Sequence, residues 1–407
     1  MELTDTRPPF AGLNGQSPQA LFGALPTPCY ILDEARLREN GLLLARVARE
    51  AGCRILLAQK AFSNFDLYGV LAPFLAGTEA SGLYEARLGR EEMPGGEVHV
   101  FCAAYKAAEF DGVLRYADHI VFNSPRQLAK FGPAAKAAGK SVGLRINPER
   151  STQQGHGLYD PCAPGSRLGV TRAQWNAQMT PSLFALLDGL HFHTLCEQDA
   201  DALEITLGAV EERFGDLLPA MRWLNMGGGH HVTRPGYDTA RLIRCVRRAA
   251  EQWGVEVYLE PGEACALNAG YLVARVEDLV ENNGVKTAVL DASFACHMPD
   301  TLEMPYTPPL YGAAEAAEGE NTAFTYRLGG PTCLSGDVLP AYTSGHALRE
   351  GELLLFGDMA IYTTCKNNTF NGMPLPDIWR YGADGRLTRL TAFGYGDFKR
   401  RLGVFPG

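Results

Sequence analysis

The stretch Ile55-Leu56-Leu57-Ala58-Gln59-Lys60 is a short apolar run that ends in a charged residue. Seven further runs of this kind follow, and amphipathic stretches with helical periodicity separate them. Such alternation is typical of a parallel sheet, and eight repeats in about two hundred residues predict a (β/α)8 TIM barrel of the α/β class. The eight predicted strands are 55–59, 78–81, 97–102, 119–123, 141–147, 189–195, 222–226 and 255–260.

The pattern changes after the eighth run, where two apolar segments flank Asn282-Asn283-Gly284, a strong signal for a β-hairpin turn. With 407 residues, the chain is longer than one hydrophobic core usually supports. We therefore predict two domains. Residues 33–264 form the barrel, and residues 265–407 form a C-terminal β domain that residues 1–32 complete.

Composition disfavours several classes of protein. The formal charge of −9 opposes binding to nucleic acid or anionic lipid. No apolar run approaches the ~18 residues that span a bilayer, so a membrane role is not expected. Residues 1–16 do not resemble a secretory signal, and we expect a cytoplasmic protein. The ten cysteines stand at least 20 residues apart, which excludes C-x-x-C redox or zinc pairs.

Polar side chains close several of the predicted strands. In a barrel these strand ends meet at one face, where the catalytic groups of this fold lie. Lys60 is a candidate nucleophile, because a lysine delivered into a partly desolvated mouth can present its amine for imine formation. Taken alone, such a lysine more often simply leaves a strand for solvent. The insert 151–169, rich in glycine and proline, predicts a loop over this mouth. The closing residues besides Lys60 are Glu79, Arg145, His193 and Glu260.

Three further motifs carry candidate chemistry. Gly227-Gly228-Gly229 follows the seventh strand, where side-chain-free amides can approach a phosphate. Glu260-Pro261-Gly262-Glu263 offers a carboxylate that can keep a pyridinium nitrogen protonated, although such a motif is also a common turn. His191-Phe192-His193 alternates faces, so we expect only His193 inside the barrel, against a cofactor or as a core residue. Adjacent residues such as His230-His231 rarely share one ion, so no metal site is expected.

Together these positions resemble the fold-type III pyridoxal-phosphate (PLP) decarboxylases, the family of ornithine and diaminopimelate decarboxylases with an alanine-racemase-like barrel. The resemblance covers nearly the whole chain, and the order of the motifs is more specific than any one of them. Within the family, four sequence segments are most similar to the branch that decarboxylates carboxynorspermidine or carboxyspermidine in polyamine biosynthesis. The segments that carry this similarity are 58–62 (AQKAF), 191–197 (HFHTLCE), 227–231 (GGGHH) and 260–264 (EPGEA).

The resemblance implies a role for each of these positions. Lys60 carries the PLP cofactor as a Schiff base, His193 packs on the cofactor ring, and Glu260 pairs with the pyridine nitrogen. Gly227, Gly228 and Gly229 hold the cofactor phosphate together with Tyr362. The further cofactor-lining residues implied by the resemblance are Glu79, Arg145 and Cys196.

The resemblance also implies a homodimer with shared active sites. Cys333 and Asp337 reach across the dimer interface, and Cys333 is the acid that protonates Cα of the substrate. The segment 294–300 is similar to the one by which ornithine decarboxylases present a substrate-binding aspartate. Asp300 is therefore the expected contact for the distal amines of a polyamine precursor, with Glu303 as a weaker candidate.

One departure from the family bears on the substrate. Ornithine and diaminopimelate decarboxylases usually carry arginine at the fourth position of the E-P-G-x motif, where this chain has Glu263. The phosphate must use other donors, and those two substrates become less favoured. The alternatives are another basic amino-acid decarboxylase of this fold, or a non-catalytic PLP carrier, against which the β domain argues. The two polyamine precursors differ by one methylene, worth only ~1–3 kcal/mol, so the sequence does not separate them.

Overall fold

The chain divides into two compact units. The computed structural model describes residues 8–153 and 160–404. The barrel unit is Arg38–Cys265, and the described part of the sheet unit combines residues 8–37 with residues 266–404. The predicted boundaries at 32/33 and 264/265 differ from these divisions by five residues and one residue.

Three elements precede the barrel strands. α1 (Pro18–Phe22) begins after Ser17, whose side chain accepts a hydrogen bond from the Ala20 N–H and caps the helix. β1 (Cys29–Asp33) is buried along its whole length. α2 (Glu34–Ala51) follows at once and continues into the barrel unit.

Eight parallel strands close the barrel, as the apolar runs predict. Each strand pairs with the next, and the last returns to the first through Arg54 and Tyr258. The predicted (β/α)8 barrel is therefore confirmed, with strands somewhat shorter than the apolar runs. The barrel strands are β2 (Arg54–Ala58), β3 (Gly77–Ala80), β4 (Glu97–Phe101), β5 (His119–Phe122), β6 (Ser141–Arg145), β7 (Gly189–His191), β8 (Trp223–Asn225) and β9 (Glu256–Leu259).

Helices follow the barrel strands, and their starts are encoded locally. Ser124 and Asp238 cap two of them through their side-chain oxygens, and Thr171 forms a capping box with Gln174. These caps fix where each helix begins, and so how long each loop at the strand ends is. The helices are α3 (Tyr68–Leu71), α4 (Leu83–Glu92), α5 (Phe110–Tyr116), α6 (Pro125–Ala137), α7 (Arg172–Gln178), α8 (Pro181–Phe184), α9 (Ala200–Phe214), α10 (Thr239–Trp253) and α11 (Glu263–Ala266).

The N-terminal end of the barrel is filled by one large side chain. The Trp223 indole, at the start of β8, packs with Leu56, Val121 and Tyr258. A Cβ on Gly189 would lie 2.1 Å from the indole, so this strand position must be glycine. The filled floor leaves the opposite end, where the polar residues close the strands, for ligand chemistry.

The predicted loop 151–169 is only partly described, because residues 154–159 lie outside the described residues. On the near side of that gap, Thr152 Oγ1 donates to Gln198 Oε1 at 2.7 Å, and Gln198 Nε2 donates back to the Thr152 carbonyl at 2.7 Å. Gln198 follows β7, so the start of the insert is tied to the C-terminal end of the barrel.

The sheet unit contains a mixed sheet of nine strands. Their order is β12-β14-β13-β11-β10-β1-β16-β17, and β15 pairs with β10 off this path. β1 therefore belongs to the same sheet as the C-terminal strands. The remaining strands are β10 (Gly270–Asn282), β11 (Val285–Leu290), β12 (Ala313–Glu315), β13 (Thr325–Gly329), β14 (Val338–Ser344), β15 (Leu353–Gly357), β16 (Asp377–Tyr381) and β17 (Leu387–Thr391), and the helices are α12 (Phe294–His297), α13 (Asp300–Glu303) and α14 (Tyr395–Arg400).

The hairpin predicted from Asn282-Asn283-Gly284 joins β10 to β11. Asn283 and Gly284 have φ values of 51° and 76°, the backbone of a type I′ turn, and Asn282 pairs with Val285. No helix among the described residues is both long and apolar enough to cross a membrane.

Candidate active site

The polar residues that close the barrel strands act on one another electrostatically. Lys60 is half-buried and stands two residues past the end of β2. Burial raises the pKa of Glu79, Glu260 raises it further, and Lys60 and Arg145 oppose this increase. The charge of Lys60 also lowers the pKa values of His193 and Glu260. Residues from five separate strand ends therefore form one cluster in the barrel unit.

Glu260 is held by two hydrogen-bonded side chains. His191 Nε2 lies 3.1 Å from its Oε2, and Asn225 Nδ2 donates to its Oε1 at 2.6 Å. All three side chains are buried. Burial acts to raise the pKa of Glu260, but the interaction with His191 and the charge of Lys60 lower it below its usual range. The carboxylate is therefore ionised and fixed in orientation, which suits a partner that carries a proton on a ring nitrogen.

Both histidines of His191-Phe192-His193 join this cluster, so the prediction that only one does is wrong. In an extended chain the side chains at positions i and i+2, here His191 and His193, point to the same face. His191 ends β7 against the Glu260 carboxylate, and Lys60 lowers the pKa of His191 and His193 alike, after the larger effect of burial. His191 therefore orients Glu260, a role the sequence reasoning missed.

The ring of His193 is fixed by its neighbours. Its Nδ1 accepts a hydrogen bond from the Gly228 N–H at 2.8 Å, so the proton of the neutral ring is on Nε2. Arg145 Nη2 donates to the His193 carbonyl at 2.8 Å, and its guanidinium lies 4.6 Å from the centroid of the Phe101 ring. Desolvation lowers the pKa of His193 well below its usual range, and Lys60 lowers it further. The result is a neutral, partly accessible imidazole that suits packing on a flat ring.

Glu79 offers a buried oxygen to a ligand. It is the third residue of β3 and is nearly inaccessible. Within residues 8–153 and 160–404, its Oε2 accepts no hydrogen bond. A buried polar atom without a partner costs about 1–3 kcal/mol, and a ligand that donates to this oxygen would remove that cost.

The three glycines after β8 bring the backbone close to its neighbours. Gly227 and Gly229 have φ values of 68° and 81°, and a Cβ on Gly229 would lie 2.0 Å from the Leu195 carbonyl oxygen. The N–H of Gly227 donates to Asn225 Oδ1 at 2.9 Å, as that of Gly228 does to His193. Of the three amides, only that of Gly229 donates to no group in the described part of the chain. Two of the predicted phosphate donors thus already orient site residues.

Two further predicted cofactor-lining residues, Cys196 and Tyr362, belong to different units. Cys196 is half-buried just after β7. Tyr362 belongs to the sheet unit, where its φ of 49° places it in the left-handed region that few non-glycine residues adopt. Such strained backbone is found where a side chain must be aimed in one direction.

The two predicted amine contacts share one lysine in the sheet unit. Lys366 Nζ donates to Asp300 Oδ1 and to Glu303 Oε2. The Asp300 side chain is 14% exposed, and that of Glu303 is 59% exposed. The two carboxylates therefore form a cation site, which here holds an ammonium of the chain itself.

Cys333 and Asp337 differ in their surroundings. Cys333 is exposed. Asp337 is buried, and its Oδ1 accepts from the N–H groups of Phe294 and Ala295 at 2.7 and 3.1 Å. Its Oδ2 accepts from Thr332 Oγ1 at 2.7 Å. Asp337 thus supports the start of α12 within its own unit, and its predicted contact with substrate stays a prediction.

Three side chains whose potential metal-ligand atoms are close together lie at the N-terminal end of the barrel. Glu97, His99 and His119 each offer an atom within 4.8 Å of the others. The two imidazoles are stacked, with centroids 3.9 Å apart and planes 12° apart, so their in-plane lone pairs do not converge on one ion. Arg54 Nη2 also pairs with Glu97 Oε1 at 3.0 Å. This cluster is therefore a hydrogen-bonded part of the barrel floor.

Sequence reasoning missed three residues of these sites. Asn225 ends an apolar strand, so the rule that selected Lys60 and Glu260 also selects it. His191 follows from the correct two-residue period. Lys366 has no local signal, because its partners are 66 and 63 residues away in the chain.

Comparison with known proteins finds a matching family and several relatives. The family described as pyridoxal-dependent decarboxylase, C-terminal sheet domain, matches residues 29–360. A carboxynorspermidine/carboxyspermidine decarboxylase of Campylobacter jejuni is 40% identical over 389 residues, which cover 93% of this chain and 99% of that protein. A carboxyaminopropylagmatine decarboxylase of Synechocystis is 41% identical over 383 residues, covering 94% and 97%.

A solved structure agrees at the level of the fold. The crystal structure of carboxynorspermidine decarboxylase from Campylobacter jejuni, complexed with norspermidine, superimposes with a TM-score of 0.84. It is 39% identical and covers 93% of this chain and 100% of that chain.

Proposed function

The chain belongs to the family of pyridoxal-dependent decarboxylases, and from this premise we propose that it removes the α-carboxylate of carboxynorspermidine and carboxyspermidine. The products are norspermidine and spermidine. The observation that carries the proposal is the ionised Glu260, clamped by His191 and Asn225 in the same cluster as Lys60. The substrate assignment is supported by the relatives that align with this chain over nearly their full length.

The barrel cluster fits PLP. Bound PLP supplies an electron sink for the electron pair left on Cα when CO2 departs. Lys60 holds the cofactor covalently, and Glu260 keeps a proton on the ring nitrogen, without which the ring accepts electrons poorly. His193 packs on the ring as a neutral imidazole. In this proposal the phosphate is held by the glycine segment 227–229, through the amide of Gly229, together with Tyr362. Glu79, Arg145 and Cys196 line the remaining edges of the cofactor.

The sheet unit supplies the substrate-handling groups of the proposal. Asp300 and Glu303 attract the distal ammonium groups, because charge-assisted hydrogen bonds to carboxylates are the strong contacts open to a polyamine. Cys333 of the partner subunit delivers a proton to Cα after CO2 has left. Asp337 supports the start of α12, and α13, which carries Asp300 and Glu303, follows α12 in the chain. The active unit of the proposal is thus a homodimer, which light scattering on the purified protein tests.

A second substrate has a specific observation in its favour. The Synechocystis relative, at 41% identity, is named for carboxyaminopropylagmatine. That substrate shares the α-amino acid and the cationic tail but ends in a guanidinium. Two carboxylates on one site bind either cation, so the geometry of Asp300 and Glu303 alone favours neither.

CO2 release from a panel of substrates tests the proposal. The panel holds carboxynorspermidine, carboxyspermidine, carboxyaminopropylagmatine, ornithine, lysine and diaminopimelate. We expect the highest kcat/KM for the first two, within about 10–200-fold of each other because they differ by one methylene. A higher kcat/KM for carboxyaminopropylagmatine, or for a simple amino acid, would replace the substrate assignment. PLP binding without CO2 release from any of them would identify a carrier.

A further inference from the structure

Lys366 pairs with the two carboxylates that the proposed function assigns to a substrate ammonium. Its side chain ends in a primary alkylammonium, the same chemical group that ends norspermidine. Both carboxylates accept a hydrogen bond from it, and the lysine side chain is 33% exposed. The ion pair is therefore accessible to solvent on one side and can exchange.

Backbone and side-chain hydrogen bonds connect the segment around Lys366 to α12, which precedes the helix that carries Asp300 and Glu303. Asn368 Nδ2 donates to the Ala295 carbonyl at 2.9 Å, and the Asn368 N–H donates to the Cys296 carbonyl at 3.0 Å. These bonds fix the segment after Lys366 against α12. The Lys366 N–H donates to the Thr363 carbonyl at 3.0 Å. The ammonium therefore meets the carboxylates of α13 from a fixed backbone position, through a flexible side chain.

The two partners of this ion pair shift each other's pKa values. Burial acts to lower the pKa of Lys366, but its hydrogen bonds to Asp300 and Glu303 raise it above the usual range. Burial raises the pKa of Asp300, and Lys366 opposes that increase. At neutral pH the lysine is charged and neutralises a carboxylate that is poorly solvated.

We propose that Lys366 is an internal competitor for the ammonium site of Asp300 and Glu303, and that a cationic substrate binds there by displacing it. The proposal rests on the function proposed above, to which it adds the residue that sets the strength of amine binding. Substrate binding then exchanges one ammonium for another. The gain from new contacts is offset by the loss of old ones, which keeps affinity moderate and lets the polyamine product leave.

Removal of the competitor tests this directly. Lys366→Met keeps the length of the side chain without its charge. We expect calorimetric titration of the holoenzyme with norspermidine at pH 8 to show at least a tenfold lower Kd, about 1.4 kcal/mol. The KM for carboxynorspermidine should fall as well, while kcat does not rise. Alkaline conditions are chosen so that Asp300, whose pKa burial raises, remains ionised once its partner is gone.

Lys286→Met is the matched control. It removes the same charge from the same unit, at a lysine that donates to the Ala323 carbonyl and lies 5.8 Å from the centroid of the Tyr326 ring. Its Kd for norspermidine should stay within twofold of the wild-type value. A shift as large as that of Lys366→Met would assign the effect to net charge and overturn the proposal.

A Kd in Lys366→Met equal to or higher than that of the wild type would also overturn it. If Lys366→Met does not fold, Lys366→Gln replaces it, since the neutral amide still donates one hydrogen bond to the carboxylates; we then expect at least a threefold lower Kd, and no decrease overturns the proposal. The two proposals fail separately. Without CO2 release by the wild type the function is wrong, whereas an active wild type with unchanged norspermidine affinity in Lys366→Met refutes only the competitor.

Discussion

The two units use charge in opposite ways. In the barrel unit the carboxylate of Glu260 is 5% exposed, and both its oxygens are occupied by neighbours that are themselves buried. In the sheet unit, the carboxylate of Glu303 is largely exposed and its lysine partner is partly so. Fixed, desolvated charges suit a cofactor that stays through many turnovers. Exposed, exchangeable charges suit a substrate that arrives and leaves.

The barrel unit also separates the protonation states of two buried glutamates. Burial raises the pKa of Glu79, whereas the contact with His191 lowers that of Glu260 against the effect of burial. Carboxylates whose pKa values are pushed apart in this way are typical of sites that need one proton donor and one fixed negative charge. The contrast between the units predicts which substitutions affect kcat and which affect KM.

The largest effect is expected at Glu260. Glu260→Gln keeps the hydrogen-bonding shape but removes the charge that holds a proton on the cofactor ring, so kcat should fall by about 10²–10³-fold, a typical loss for one preorganised electrostatic contact. KM should change little. Glu256→Gln is the control, because that residue begins β9, the strand that Glu260 follows, but is exposed and pairs with Arg54. Wild-type kcat in Glu260→Gln would remove this residue from the cofactor site.

A smaller effect of the opposite kind is expected at Asp300. Asp300→Asn removes one charge-assisted contact, worth ~1.5–3 kcal/mol, so the KM for carboxynorspermidine should rise roughly tenfold or more while PLP affinity is unchanged. Glu318→Gln is an exposed control in the same unit. If KM does not change, the amine contact lies elsewhere, and Glu303→Gln becomes the next variant to measure.

Cys333 should affect the identity of the product more than the release of CO2. If Cys333 is the acid for Cα, Cys333→Ala would still release CO2 but would form, after hydrolysis, an aldehyde and pyridoxamine phosphate in place of part of the polyamine. CO2, polyamine and pyridoxamine phosphate should be measured in one reaction. A variant that makes polyamine and CO2 at a one-to-one ratio and a near-normal rate contradicts the assignment.

The smallest effect is a difference in acid sensitivity between the units. Burial lowers the pKa of His230 and His231 in the barrel unit, and of His297 in the sheet unit, to about 4. A lowered folded-state pKa gives stability that is present above the unfolded value of 6.5 and is lost as pH falls toward the folded value. The barrel unit also contains His193, whose pKa is lowered further.

Hydrogen exchange at pH 7 and pH 5 measures this difference. Peptides of the barrel unit should lose more protection on acidification than those of the sheet unit, in the cofactor-free protein. Carboxylates of ordinary pKa remain mostly ionised across this interval, so the change reports the groups whose pKa values burial shifts, among them these histidines. Earlier loss of protection in the sheet unit would contradict the account.

Much of the fold could be predicted because its signals are local. Each barrel strand is an apolar run, and the hairpin at Asn283-Gly284 needs only two residues with positive φ. Long-range pairing left no such signal. β1 lies between β10 and β16, partners that are more than two hundred residues away in the chain, and nothing in its five residues specifies them.

The site shows the same limit. Lys60, Glu79, Arg145 and Glu260 follow from one rule, that polar residues close buried strands on the catalytic face. The contribution of Lys366 could not be predicted, because a surface lysine in a loop has the same sequence pattern whether or not it meets two carboxylates. The predicted roles of Cys196, Cys333 and Tyr362 stay predictions.

The most direct test of the account is the identity of the lysine that holds the cofactor. The holoenzyme is reduced with borohydride and digested, and the peptides are mapped by mass spectrometry, with Lys60→Ala treated in parallel. The account predicts a pyridoxyl-phosphate adduct on Lys60 in the wild type and no lysine adduct in the variant. An adduct on another lysine, or one that persists in Lys60→Ala, would contradict it.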